Sequence, residues 1–148
     1  MVERVIHRLT GIQKGEGLKS SLMFIYFFLT ITTLYILKPV RDSLFLHQLG
    51  AQNLQYVYVG EGFLIVLFSL AYARFVDLLK RNVLLVGTVI FFVVNLVIFR
   101  GLFRYPWPWL SALFYMWVAT YSIAVVTQFW MLTNDVFSPG EGKRLFGF

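Results

Sequence analysis

Lys38, Arg41 and Asp42 are the residues whose types and spacing point most directly to chemistry. Two fixed cations and an acid stand around Pro39, directly after an uncharged apolar run. Pro39 lacks a backbone donor and disfavours helical geometry at the residue before it, so that run is expected to end or kink at Lys38-Pro39. Cations beside an interrupted helix suit an anionic ligand, bound by charge pairing. A plainer reading stands beside it: Lys and Arg near helix ends carry their charged heads to the membrane interface while their stems stay in apolar surroundings.

Other polar residues fall inside apolar runs. Tyr26, Thr30 and Thr33 share one helical face, which Arg41 would continue if the helix persists. Thr120, Thr127 and Asn134 repeat every seven residues, with Gln128 close by, as expected of a seam facing other helices. Glu61 is the one acid well inside a candidate span, either a proton or substrate group or an interface residue. Asp77, Lys80 and Arg81 occupy a short charged connection between the second and third apolar runs.

Several chemistries lack their residues. His7 and His47 have no clustered partners and there is no cysteine, so no metal site, disulfide or thiol nucleophile is expected. Gly140-Glu141-Gly142-Lys143 resembles the end of a phosphate loop, but Phe137 stands where its first Gly belongs. No nucleophile–base pair has a recognisable context, so neither an enzyme nor a cofactor is expected.

The elements that position these residues follow from composition. Of 148 residues, 59% are hydrophobic, 19% aromatic and only 14% charged, which excludes an ordinary soluble domain. A helix needs about 20 apolar residues to cross a bilayer. The chain supplies four such stretches, at about 20–38, 55–75, 82–100 and 107–133, after an N-terminal segment 1–19. The expected fold is therefore an all-α integral membrane protein with the lipid bilayer as its surroundings. Tyr105-Pro106-Trp107-Pro108-Trp109 reads as an aromatic interface anchor leading into the fourth helix. Val2, Val5, Ile6 and Leu9 fall on one face of a short amphipathic helix suited to the membrane surface.

Net charge is +6. Nine Lys and Arg residues fall on the side of the N-terminus and four on the other, which places the N-terminus in the cytoplasm. The basic residues are spread over membrane boundaries, so no nucleic acid is expected as a partner. After the fourth span, Ser138 and Glu141 form a capping box with Pro139 at the first helical position. A fifth helix is expected to start over 138–148 and to be cut short.

Tyr35-Ile36-Leu37-Lys38-Pro39-Val40-Arg41-Asp42-Ser43-Leu44 resembles the end of helix one in bacterial ATP:ADP antiporter-like proteins of the ATP/ADP translocase family. The stretch from Asp135 to Phe148, with its Lys143-Arg144-Leu145-Phe146-Gly147-Phe148 run, resembles the link from helix four into helix five of that family. Residues 73–82 resemble a degraded form of the loop between helices two and three of major facilitator transporters, with Ala73 for Gly and Leu78 for Arg. The resemblance implies a major-facilitator-type bundle, with this chain as its N-terminal third and further C-terminal transmembrane helices as partners. It implies transport of a nucleotide, with Lys38 and Arg41 handling phosphates beside Asp42, and a bacterial inner-membrane location. Plastid and parasite exchangers of the family carry a glutamate within helix four, and residues 105–134 contain none. Another anionic metabolite therefore stays open as substrate. The alternative reading is a complete small four-helix membrane protein with a structural or partner-binding role.

Overall fold

The computed structural model describes residues 16–137. Within them the chain forms four long helices: α1 (Glu16–Leu49), α2 (Leu54–Leu78), α3 (Arg81–Leu102) and α4 (Pro108–Val136). A single turn of 3-10 helix, Ala51–Asn53, precedes α2. There is no strand among the described residues. Each of the four helices is long and apolar enough to cross a membrane. The chain is thus an all-α, multi-pass membrane protein. The expected amphipathic helix at Val2–Leu9 and the expected fifth helix at 138–148 lie outside the described residues.

The 22 residues of α3 span about 33 Å at 1.5 Å per residue, close to the ~30 Å hydrocarbon core. The helices α2 and α4 end three residues beyond the expected bounds, whereas α1 runs well past its own, to Leu49.

The helix does not end at Lys38-Pro39, the first of the two expected outcomes: α1 runs through Pro39 for 34 residues. Proline removes one hydrogen bond, the one its own amide would donate to the Tyr35 carbonyl, and leaves the ladder on either side intact. Beyond it, Leu44 and Phe45 pack into apolar clusters, and such packing sustains a helix more than local propensity does.

Gly50 ends α1 with φ 75° and ψ 162°, a backbone conformation open essentially to glycine alone. Its amide donates to the Leu46 carbonyl, and the Asn53 side-chain amide donates to the Leu49 carbonyl, so two terminal carbonyls are satisfied. The α2–α3 connection is built otherwise: Leu79 and Lys80 are extended, and the Leu79 amide closes on the Phe75 carbonyl. Pro108 is the first residue of α4, where its missing donor costs no hydrogen bond.

The chain divides into two compact units. In residues 34–124 the first half of α4 is central. Its Leu110, Phe114, Trp117 and Val118 pack with Leu37 of α1 and with Phe92 and Phe99 of α3. Phe99 meets Phe114 and Trp117 edge to face, with centroids 5.1 and 5.4 Å apart. Such pairs add about 0.5–1.5 kcal/mol beyond the area they bury. In the other unit, Met23 and Tyr26 of α1 pack with Phe129 and Leu132 of α4 and with Phe137. Large apolar residues stand exposed along the helices, among them Val59, Phe63 and Leu70 of α2 and Val86 and Val97 of α3. Patches of that extent mark contact with lipid or with other protein.

Candidate functional site

The residues of chemical interest that the fold brings together lie in residues 34–124, where α1, α2 and α4 meet. Arg41 stands eight residues before the end of α1, and its side chain is only 14% exposed. Its guanidinium carbon lies 4.1 Å from the centroid of the Tyr115 ring on α4. Attraction between a cation and a ring face is worth about 2 kcal/mol when the pair is desolvated. Phe45, one helical turn after Arg41, is fully buried against Tyr115 with centroids 5.3 Å apart. Tyr58 of α2 meets the same ring edge-on at 6.1 Å. Val57, Leu49, Leu54, Ala112 and Met116 complete the apolar surround.

Gly60 explains how α2 comes near enough to contribute. A Cβ there would lie 2.6 Å from the Met116 sulfur, so glycine lets the Met116 side chain lie directly against α2, and a larger residue would make that side chain shift. Met116 follows Tyr115, and Tyr58 precedes Gly60 by two residues, so this close contact lies next to both rings.

Asp42 supplies the counter-charge. Arg41 Nε donates to Asp42 Oδ1 at 3.2 Å, and the Asp42 side chain is half exposed. Neighbouring helical residues point about 100° apart, so the pair is reached by side-chain bending and engages one guanidinium donor of five. The arrangement holds a largely buried cation in place by a ring and a single carboxylate contact.

Lys38, expected to act with Arg41, lies exposed on α1 and does not share this environment. Glu61 is half-buried on α2, and its Oε2 is buried with no hydrogen-bond partner. Tyr26 packs on Phe129 with centroids 6.1 Å apart. Thr30 is buried, and the Thr33 hydroxyl donates to the Leu29 carbonyl of its own helix. Thr120 is buried and donates to the Met116 carbonyl.

Thr127 and Asn134 are exposed on α4, while Gln128 and Thr133 on the same helix are buried. Asp77, Lys80 and Arg81 all stand exposed at the α2–α3 connection.

Tyr115, Tyr58 and Phe45 were not singled out by sequence. Phe45 could have been found, since it falls one turn after Arg41. Tyr115 and Tyr58 carry no such signal in a chain with eight tyrosines and sixteen phenylalanines. Compared with protein-family models, with curated proteins and with solved structures, the chain matches none.

Proposed function

We propose that these four spans belong to the N-terminal part of a major-facilitator-type secondary transporter that exchanges nucleotides, ATP against ADP, or a related anionic metabolite. The observation that carries this reading is Arg41, a guanidinium largely buried in a spanning helix, held on the Tyr115 ring, with the half-exposed Asp42 as its ion-pair partner among the described residues. Ionisable residues kept within membrane spans commonly mark substrate or ion pathways. A guanidinium binds phosphate in two parallel hydrogen bonds, and a fixed one loses less freedom in doing so.

In this reading Arg41 neutralises phosphate, Lys38 adds a second cation from the exposed face, and Asp42 exchanges partners as the site opens and closes. Tyr26, Thr30, Thr33, Glu61, Thr120 and Thr127 are candidates to line the path. Asp77, Lys80 and Arg81 latch the cytoplasmic side, with the N-terminus in the cytoplasm of a bacterial cell and the bundle in its inner membrane. The resemblance of residues 35–44 and 135–148 to the ATP/ADP translocase family supports the substrate class. Uptake of labelled ATP by cells expressing the complete gene tests the reading. Loss of uptake in the Arg41→Ala, Lys38→Ala double variant is expected, and full uptake in that variant would remove both residues from the mechanism.

A further inference from the structure

A second feature of residues 34–124 lies away from Arg41. The C-terminal half of α2 and the N-terminal half of α3 enclose a pocket of about 420 Å³. Phe68, Tyr72, Phe75 and Phe91 give it aromatic walls, and Leu79, Val83 and Gly87 are among its other lining residues. The Thr88 hydroxyl, also in the lining, is already committed to the Leu84 carbonyl at 2.8 Å. The pocket thus offers almost nothing but apolar surface.

Two observations specify an occupant. From Phe68 to Leu79 the lining follows α2 for about 16 Å, roughly half of a ~30 Å hydrocarbon core and so the depth of one leaflet. The end marked by Leu79 runs straight into exposed Lys80 and Arg81, and exposed Arg74 adjoins the lining residue Phe75. Asp77 is the one acid on this stretch, so the cations outnumber it at that end. A leaflet-deep apolar groove with a cationic rim at its end complements a molecule with a long hydrocarbon chain and an anionic head.

We propose that the α2–α3 groove binds one acyl chain of an anionic glycerophospholipid, with its phosphate held by Arg74, Lys80 and Arg81. Each cation near a membrane surface favours an anionic headgroup by about fivefold in affinity. Gly87 gives a clean way to close the groove: a Cβ built there meets nothing within 4 Å, so a larger side chain enters open space rather than packed atoms.

The test is native mass spectrometry of the detergent-purified protein with equal amounts of phosphatidylglycerol and phosphatidylcholine carrying identical acyl chains. Wild-type protein is expected to retain phosphatidylglycerol preferentially. Lys80→Gln should lower that preference about fivefold while leaving the chain-binding groove intact. Gly87→Leu should lose the retained lipid with an unchanged melting temperature. Glycerol phosphate, which has the head but no chain, should not compete. Equal retention of the two lipids by the wild type, competition by glycerol phosphate, or undiminished phosphatidylglycerol on Gly87→Leu would each overturn the proposal.

Discussion

Residues 34–124 treat positive charge in two opposite ways. Where α1, α2 and α4 meet, Arg41 is drawn into the packing and laid on a ring. At the α2–α3 connection, Lys80 and Arg81 stay exposed beside an apolar groove. The connections differ in the same sense. One depends on Gly50 at positive φ with its carbonyls satisfied by Gly50 and Asn53, and the other is two extended residues with no side-chain cap. A buried cation needs a rigid frame to compensate its lost hydration, whereas exposed cations keep their water and need none.

Breaking the frame tests that contrast most strongly. Tyr115→Ala removes the ring that Arg41, Phe45 and Tyr58 share, and should lower stability by about 3–5 kcal/mol, read from unfolding in detergent. A loss below 1 kcal/mol would mean that the ring is not the centre of the cluster. Next in size is Gly50→Ala, expected to cost about 1–3 kcal/mol because alanine resists this backbone conformation, although the nearest side-chain atoms leave room for its methyl. Arg41→Met keeps much of the aliphatic stem and discards the charge. It should cost about 1–2 kcal/mol by the same measurement, and a gain instead would show that the buried charge opposes folding. Lys80→Ala, at the open end, should stay within about 0.5 kcal/mol of wild type in lipid-free detergent. A larger loss there would erase the distinction between the two regions.

Much of the architecture was legible because it rests on local composition. Uncharged runs of sufficient length give spans whatever their neighbours do, and all four helices stand where those runs are. Pro108 at the start of α4 was legible for the same reason. The site was legible only on one side. Arg41 and Asp42 are adjacent in sequence, so their pairing needs no tertiary knowledge. Tyr115 and Tyr58 lie on other helices, and their place beside Arg41 depends on how α2 and α4 approach at Gly60, which no periodicity encodes. Pro39 misled because its rule concerns one missing bond, while the helix was decided by Leu44 and Phe45 finding partners beyond it.

The aromatic run before α4 has a consequence in optics. Tyr105, Trp107 and Trp109 stack in sequence with centroids 5.2 and 5.7 Å apart, and all three are exposed. Trp117, two turns further on, is buried among Phe92, Phe99 and Phe114. The fluorescence of this protein therefore has both a shielded and an accessible component. Trp130, toward the other end of α4, is exposed as well, so with Trp130→Phe in place quenchers at chosen depths in a bilayer would dim Trp107 and Trp109 first, turning the start of α4 into a built-in gauge of how deeply the helix is seated.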